Sequence, residues 1–227
     1  MSSTSSADTS TLMGPAAVSP IAPIVYVVDN DSAVLEALCL LLRSNGLQAV
    51  ACASAQQFLA CYTPEQIGCL VLDIRMPEMS GPELQAKLKE EHCPLPIIFI
   101  TGHGDVDSCR HAFLHGAVNF LTKPVDEMAL LSSIRGAIQA SILQHSVQAR
   151  TDEAERRLAP LSPRELQVLE YIVQGLSSRQ IAGLLKLSTR TVESHRGSIF
   201  DKLQVNSLAE LIRLYLMTLK ERAYLLP

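Results

Sequence analysis

Residues 69–73 read CLVLD, and this stretch decides the fold. Four consecutive apolar residues, from Cys69 to Leu72, end at the carboxylate of Asp73. An apolar run without alternation is typical of a strand that is covered on both faces, as in a parallel sheet. In such a sheet the polar residues that follow the strands line the edge where ligands bind. We therefore predict a buried parallel strand here, with Asp73 at its carboxyl end.

Further apolar runs of the same kind lie on either side of this strand. They are Ile24–Val28, Leu47–Cys52, Pro96–Ile100 and Val118–Leu121. Helical patterns follow the runs, at Ser32–Asn45, after a capping Ser54, at Pro82–Glu91, at Val106–Gly116 and after Asp126. Five strands that alternate with five helices predict an α/β fold. The expected form is a flavodoxin-like, doubly wound parallel sheet over about 120 residues.

The chain changes character after the last of these strands. Residues 127–157 contain no proline, and their apolar pattern fades from Gln148 onward, which predicts a helix that runs into a linker. Beyond Ala159-Pro160, three Ser-x-x-Glu/Gln capping boxes mark new helices. They begin at Ser162, Ser177 and Ser207. These signals predict a small all-α domain of four helices, at about 163–174, 178–185, 189–203 and 208–220.

These patterns divide the chain into four segments. We predict a disordered tail over 1–22, an α/β domain over 23–140, a helical linker over 141–159 and a helical domain over 160–227. The net charge of −4 is unevenly divided. Residues 1–159 carry 10 Lys/Arg and 17 Asp/Glu, or −7, whereas residues 160–227 carry 9 and 6, or +3. A basic domain on an acidic body favours an anionic partner for that domain.

Composition excludes several other classes of protein. With 48% apolar residues, the 227-residue chain has enough material for a core, and no apolar run approaches the roughly 18 residues of a membrane span. Residues 1–22 lack the positive start and apolar middle of a secretory signal, so we expect a cytoplasmic protein without a membrane partner. The six cysteines form no C-x-x-C pair. We interpret them as buried, reduced thiols, with a redox sensor as the alternative.

Four polar residues directly follow four of the predicted strands. They are Asp29, Asp73, Thr101 and Lys123. In the strand order 2-1-3-4-5 these four strands are neighbours, so the side chains converge at one edge of the sheet. A carboxylate can attack phosphorus and carry an acyl phosphate, and Mg²⁺ prefers carboxylate and phosphate oxygens. A lysine and a hydroxyl can bind the remaining phosphoryl oxygens, so the set predicts a phosphoryl site.

The motifs around these residues resemble the receiver domain of two-component response regulators over about residues 24–140. They are Val28-Asp29, Leu72-Asp73-Ile74-Arg75-Met76-Pro77 with Gly81, Ile100-Thr101-Gly102 and Phe120-Leu121-Thr122-Lys123-Pro124. The resemblance implies that Asp73 is the phospho-acceptor and that Lys123 contacts the phosphoryl group. It also implies that Thr101 is the switch hydroxyl and Phe120 its aromatic partner.

The resemblance further implies a Mg²⁺ site formed by Asp29, Asp73 and the backbone carbonyl of Arg75. One position departs from the family pattern, which usually has two consecutive acids after the first strand. This chain has Asp29-Asn30 instead. An Asn side chain keeps a carbonyl oxygen, so Asn30 is a candidate ligand that contributes no charge. Asp31 stands one position too late unless the loop shifts.

The stretch from Ser177 to Leu203 predicts a helix-turn-helix, in which residues 178–185 and 189–203 are joined by a tight turn. The second helix would enter the major groove of DNA. Motifs including Leu161-Ser162-Pro163-Arg164-Glu165 and Ser188-Thr189-Arg190-Thr191-Val192-Glu193-Ser194-His195-Arg196 resemble the LuxR-type DNA-binding domain over about residues 158–220. Within that resemblance, the side chains expected at base edges are Glu193, Ser194 and Gly197. Those expected at phosphates are Arg190, Thr191, Arg196 and Lys202.

A receiver followed by this domain resembles the FixJ/NarL-type response regulators. The resemblance implies a transcription regulator rather than an enzyme, with a histidine kinase and double-stranded promoter DNA as partners and RNA polymerase as a further candidate. Phosphorylation would pair two receivers into a homodimer through a face near Ala112–Phe120. One alternative is a phosphotransfer or phosphatase enzyme, for which residues 160–227 offer no second catalytic set. Another is an orphan receiver that dimerises and binds DNA without phosphate, which only Asn30 favours.

Overall fold

A computed structural model describes residues 22–102 and 117–224, with the side chains of the last helix described as far as Thr218. The chain divides into two compact units, one up to Ser141 and one from Ile142. Several predictions fall on residues outside the described ranges. They are the disordered tail, apart from Ala22, the helix over Val106–Gly116, the thiol of Cys109 and residues 112–116 of the expected dimer face. In the part that is described, no helix combines the length and the hydropathy needed to cross a membrane.

A five-stranded sheet forms the centre of the first unit. Its strands are β1 (Ile24–Val28), β2 (Gln48–Cys52), β3 (Gly68–Asp73), β4 (Ile97–Thr101) and β5 (Asn119–Thr122). The order is β2-β1-β3-β4-β5, and all neighbouring strands are parallel. This order confirms the predicted flavodoxin-like, doubly wound sheet.

Helices cover both faces of the sheet. They are α1 (Ser32–Ser44), α2 (Ala55–Cys61), α3 (Gly81–Glu90) and the first half of α4 (Glu127–Leu158). Side chains alternate along β3, so Cys69 and Val71 pack into the apolar cluster with α1 and α4. Leu70 and Leu72 pack into the cluster with α2 and α3. All six residues of β3 are buried, which explains its continuous apolar pattern.

Side-chain caps begin the helices that follow the strands. Asp31 caps α1, with its carboxylate accepting bonds from two N–H groups of the first turn at 2.9 and 3.4 Å. Ser54 caps α2, as predicted. A complete capping box of Ser80 and Glu83 begins α3. Sequence reasoning missed that box, although the Ser-x-x-Glu spacing is present in the chain.

The cysteines correct part of one prediction. Cys39, Cys52 and Cys69 are buried free thiols, and Cys93 is half-buried. Cys61 is exposed, so the expectation of a buried thiol is wrong there. The reason is its position as the last residue of α2, a short helix that buries Ala55 and Phe58. Cys109 lies outside the described residues.

The second unit is helical, which confirms the predicted all-α domain. After α4 it contains α5 (Pro163–Val173), α6 (Ser178–Leu185), α7 (Thr189–Leu203) and α8 (Leu208–Tyr224). One apolar core joins these helices. The end of α4 adds Ala154 and Leu158 to that core, within the segment where the sequence predicts a linker. Ala154 and Leu158 are four positions apart in a mostly polar stretch, so the sequence pattern did not predict that they join a core.

Two of the three predicted capping boxes in this unit are complete, those of Ser162 and Ser177. The third is only half formed. The hydroxyl of Ser207 accepts a bond from the Glu210 N–H at 3.2 Å, as predicted. The carboxylate of Glu210, however, accepts from the Asn206 N–H at 3.1 Å, one residue before the expected partner.

The helices α6 and α7 form a helix-turn-helix with the predicted bounds. Lys186 ends α6 in a left-handed conformation with φ of 54°, and the N–H of Leu187 donates to the carbonyl of Ala182 at 2.9 Å. Ser188 then caps α7. The chain therefore turns within three residues, and the start of α7 is held by its own cap.

Candidate functional site

Two buried carboxylates and an ammonium meet at the carboxyl edge of the sheet. Asp29 follows β1 and Asp73 ends β3, and their exposed fractions are 2% and 7%. The Nζ atom of Lys123, which follows β5, lies 2.7 Å from Oδ2 of Asp29 and 3.0 Å from Oδ1 of Asp73. The structure thus brings together three of the four polar residues that were expected to converge.

Backbone contacts fix the two carboxylates. Oδ1 of Asp29 accepts a bond from the Asp31 N–H at 2.9 Å, and Oδ2 of Asp73 accepts one from the Arg75 N–H at 3.0 Å. Gly81 begins α3 directly against β3, where a Cβ atom would collide with the Asp73 carbonyl oxygen. A glycine is therefore required for α3 to approach Asp73 this closely.

We call Asp29, Asp73 and Lys123 the acidic pocket, and the pKa values of Asp73 and Lys123 in it are shifted for different reasons. Burial raises the pKa of Asp73, and the neighbouring Asp29 raises it further, so that together they outweigh the hydrogen bond from Lys123 that lowers it. Burial lowers the pKa of Lys123, but its hydrogen bonds to Asp29 and Asp73 outweigh burial and raise it overall. Lys123 therefore stays an ammonium, and it partly neutralises two carboxylates that would otherwise repel each other.

The two expected switch residues lie on the neighbouring strands. Thr101 is the last residue of β4 and is buried, and its hydroxyl donates to the carbonyl of Gly102 at 3.1 Å. Its own carbonyl accepts from the Lys123 N–H at 2.6 Å, which ties the ends of β4 and β5 together. Phe120 is half-buried on β5 and packs against the cluster that contains Phe99.

The pocket has the oxygen donors that a hard dication takes. Two carboxylates face one ammonium, so the three side chains carry a net charge of about −1, which favours a cation. Asn30 is exposed beside Asp29. The backbone of Arg75 is held alongside the Asp73 carboxylate by its N–H bond. Among the described residues no group of three His, Cys, Asp or Glu side chains forms a metal site, so a cation here would also need carbonyl oxygens.

A second candidate site lies on α7 in the helical unit. Val192, Ile199 and Leu203 form its buried stripe. Five of the residues expected at DNA are exposed on the same helix. They are Arg190, Thr191, Glu193, Ser194 and Gly197. A Cβ atom on Gly197 would meet no atom within 4 Å, so the backbone there is open to a close approach.

Two of the residues expected at DNA also interact within the unit. Arg196 is half-buried, with Nε 3.8 Å from Oε2 of Glu193. The hydroxyl of Thr191 lies 2.7 Å from that of Ser188, which makes it part of the helix cap. Thr191 is nevertheless one of the exposed residues of α7, and Arg196 lies on the same helix beside them.

Lys202 differs from the others because its ammonium pairs with a buried acid. Nζ of Lys202 lies 2.7 Å from Oε2 of Glu165, and the hydroxyl of Ser198 donates to Oε1 of Glu165 at 2.6 Å. The bonds from Lys202 and Ser198 lower the pKa of Glu165. Sequence reasoning identified Glu165 as half of a capping box only. The structure shows that Glu165 also connects α5 to α7, because Ser198 and Lys202 of α7 both bond to its carboxylate.

Two family matches divide the chain as the two sites do. The response regulator receiver domain matches residues 25–135, and the luxR family of bacterial regulatory proteins matches residues 159–215. An acidic pocket on a flavodoxin-like sheet, followed by a helix-turn-helix, defines the class. The chain belongs to the response regulators that join a receiver domain to a LuxR-type DNA-binding domain.

Individual relatives are similar to this chain along most of their length. The response regulator protein TodT of Pseudomonas putida is 44% identical over 192 residues, which cover 85% of each chain. The transcriptional regulatory protein FixJ of Azorhizobium caulinodans is 41% identical over 193 residues, or 85% of this chain and 92% of FixJ. The solved structure of the response regulator StyR has a TM-score of 0.74 and 44% identity, and it covers 86% of this chain and 98% of that one.

These relationships settle the general function. The protein is a phosphorylation-controlled, DNA-binding transcription regulator of a two-component system. As a class, response regulators are phosphorylated by histidine kinases, bind Mg²⁺ at the phosphorylation site and bind DNA through this type of helical domain. The alternative of an orphan receiver that works without phosphate is not favoured. FixJ is named a transcriptional regulatory protein.

Proposed function

We propose that Asp73 is the residue that accepts the phosphoryl group. The observation that carries this proposal is the placement of Lys123, whose ammonium lies 3.0 Å from Asp73 and 2.7 Å from Asp29. A carboxylate oxygen of Asp73 would attack phosphorus on a phosphohistidine of the kinase, the P–N bond would break, and an acyl phosphate would form. Lys123 is placed to hold a phosphoryl oxygen as charge is transferred.

Mg²⁺ is the cation that this pocket suits. We assign its ligands to the carboxylates of Asp29 and Asp73, the backbone carbonyl of Arg75 and the side-chain carbonyl of Asn30. When bound, Mg²⁺ would neutralise the phosphoryl oxygens. The protein's own contribution is to hold the two carboxylates in place through the N–H groups of Asp31 and Arg75. The net negative charge of the pocket supports this assignment.

Thr101 and Phe120 are proposed to report the state of Asp73. Thr101 ends the strand next to β3, so its hydroxyl could leave the Gly102 carbonyl for a phosphoryl oxygen. Phe120 is only half-buried, so part of its ring would become buried if the ring rotated inward. The change would favour a homodimer through a face near Ala112–Phe120, of which residues 112–116 lie outside the described part of the chain.

We further propose that α7 reads the major groove of promoter DNA. Glu193, Ser194 and Gly197 would face base edges, and Arg190, Thr191 and Arg196 would face phosphates. Lys202 is assigned a positioning role, since its ammonium is bound by Glu165. Two paired chains would bind a two-fold related site, where RNA polymerase could be recruited. In this scheme residues 23–140 form the receiver domain, residues 160–227 form the DNA-binding domain, and residues 141–159 link the two.

Labelling with acetyl phosphate tests the phospho-acceptor directly. The wild-type chain should gain an acid-labile, Mg²⁺-dependent phosphoryl group, and Asp73→Asn should gain none. Asp31→Asn is the matched control, because Asn caps a helix as well as Asp does and the residue lies in the same loop region as Asp29. Labelling of Asp73→Asn at the wild-type rate would overturn the assignment.

Sedimentation of the same phosphorylated sample, with and without DNA, tests the coupling. Dimers should appear together with tighter DNA binding, because the second reader then binds intramolecularly. Tighter DNA binding by a chain that stays monomeric on and off DNA would contradict the proposed mechanism.

A further inference from the structure

A pair of cysteine thiols connects the end of β2 to the end of α2. The Sγ atoms of Cys52 and Cys61 lie 3.7 Å apart, and the residues are nine positions apart in the chain. A disulfide bond is about 2.0 Å long, so the sulfur atoms would have to approach by about 1.7 Å to form one. Side-chain rotation of a surface cysteine moves its sulfur by more than this, so the pair is within reach of a covalent bond.

Both partners are held near each other by regular structure. Cys52 is the last residue of β2, and its carbonyl accepts a bond from the Asp29 N–H at 3.2 Å. Cys61 is the last residue of α2, where its thiol donates to the carbonyl of Phe58 at 3.3 Å. Phe58 anchors α2 in the core, with its ring centroid 5.3 Å from that of Tyr26. The contact between the sulfur atoms therefore follows from the packing of a strand and a helix.

The two thiols differ in their access to solvent. Cys61 is exposed, whereas Cys52 has an exposed fraction of 0%. Cys61 is the residue of the pair that borders solvent, although its sulfur is partly buried against Cys52 and the Phe58 carbonyl. An oxidant from solution would therefore meet Cys61 first, and Cys52 is placed behind it as a resolving thiol. An accessible cysteine next to a resolving cysteine is the arrangement that converts an oxidised sulfur into a disulfide.

We propose that Cys52 and Cys61 form a peroxide-responsive disulfide within the receiver domain. Phosphorylation-controlled DNA binding does not require such a modification, so this site would be an additional input. The bond would tie the ends of β2 and α2 together beside the backbone of Asp29.

The reaction needs one hydroperoxide per disulfide. The sulfur of Cys61 attacks the peroxide, so that an S–O bond forms and the O–O bond breaks. The proton of the Cys61 thiol passes through water to the departing oxygen, which leaves as an alcohol, or as water from hydrogen peroxide. The sulfur of Cys52 then attacks the Cys61 sulfur as its proton passes to the departing hydroxide. An S–S bond forms, the S–O bond breaks and water leaves. The two thiols together lose two electrons, and the peroxide gains them.

The full-length protein treated with hydrogen peroxide provides the test. Thiols are counted after denaturation, and the intact mass and the linked peptides are determined by mass spectrometry. We expect the count to fall from the six cysteines of the chain to four and the mass to fall by two hydrogen atoms. We also expect one crosslink, between the peptides that contain Cys52 and Cys61, and its loss on reduction.

Two variants separate this pair from the other cysteines. Cys61→Ser should form no intramolecular disulfide, and because Cys61 is exposed the change should leave the circular dichroism unaltered. Cys93→Ser is the matched control, because Cys93 is also accessible in part and its thiol donates to the Tyr62 hydroxyl at 3.2 Å. That variant should still form the crosslink. Oxygen addition to Cys61 without a crosslink, or a crosslink through Cys39, Cys69, Cys93, Cys109 or a second chain, would overturn the proposal.

Discussion

The ammonium of Lys123 lies 3.0 Å from a carboxylate oxygen of Asp73, although Lys123 directly follows β5, Asp73 ends β3, and β4 lies between these two strands. Lys123 reaches across the end of β4, where its own N–H donates to the carbonyl of Thr101. A change at Asp73 is thus connected to the ends of β4 and β5. The connection runs through the Lys123 side chain and then through the backbone bond between Lys123 and Thr101. This connection gives the pocket a route by which a phosphoryl group could alter the β4–β5 side of the domain.

Replacing Asp73 by Asn should stabilise the receiver domain at neutral pH. Burial raises the folded pKa of Asp73 above its ordinary value of 3.8, so the unfolded chain gives up this proton more readily. The stability that Asp73 contributes is present below about pH 3.8 and is lost as the pH rises through the folded pKa. Urea unfolding at several pH values should show that the free energy of unfolding of Asp73→Asn exceeds that of the wild type by more as the pH rises. A variant that is less stable than wild type at pH 7 would contradict this.

Replacing Asn30 by Asp should tighten Mg²⁺ binding by roughly tenfold, or about 1.4 kcal/mol. The added carboxylate would lie beside Asp29 and the dication, whose own charge dominates such a site. Titration calorimetry measures the change. Ser32→Asp is the control, since it adds the same charge at the start of α1, two positions further on. If Asn30→Asp and Ser32→Asp have equal effects, Asn30 is not a ligand.

Replacing Arg196 by Ala should weaken specific and non-specific DNA binding about equally. Its contact with Glu193 is long, at 3.8 Å, and Glu193 is well exposed, so this pair holds the guanidinium weakly. Loss of one phosphate contact should reduce the slope of log K against log salt by about one. Binding to operator and to random DNA over a range of salt concentrations measures both effects. Loss confined to the operator would instead indicate a base contact.

Replacing Glu193 by Ala tests direct base recognition by α7. If its carboxylate accepts a bond from cytosine N4, the variant should lose discrimination at one base pair by about 1–3 kcal/mol. Selection of binding sites from a random pool reveals which position loses its preference. Recovery of the unchanged wild-type motif would leave Glu193 with only a repulsive role toward phosphates.

Replacing Glu165 by Gln should loosen α7 without touching the DNA-facing residues. The change removes the charge that holds Lys202, and we expect a loss of about 1–2 kcal/mol, at the low end for charged hydrogen bonds because Lys202 is more than a third exposed. Amide hydrogen exchange in α7 should accelerate. The pKa of Glu165 is lowered in the folded state. The stability that Glu165 contributes to the domain is therefore present above about pH 4.5 and is lost as the pH falls.

The wild type should therefore have a higher free energy of unfolding than Glu165→Gln at pH 7, and this difference should shrink below about pH 4.5. Glu170→Gln serves as a control on the same helix, since it also removes one charge and Glu170 is exposed. Equal acceleration of exchange by both variants would show that the link between Glu165 and Lys202 does not hold α7.

Local patterns in the sequence were sufficient for the class of fold and the bounds of α6 and α7. Buried strands such as β3 read as unbroken apolar runs because both faces are covered, and the caps at Ser162 and Ser177 depend only on residues three positions apart. Asp29, Asp73 and Lys123 were predictable as a group for a related reason. In a parallel sheet the ends of neighbouring strands must meet at one edge.

Only the tertiary structure decided which side chains pair across distant segments. Glu165 and Lys202 are 37 positions apart, and nothing in their local patterns links them. The exposure of Cys61 and its contact with Cys52 depend on where α2 ends against β2. The sequence by itself therefore determined the elements, their order and the polar residues at the strand ends, because short-range periodicity and topology control these. Packing decided the pairings of Lys202 and Cys61, because they depend on distances between elements that no local spacing encodes.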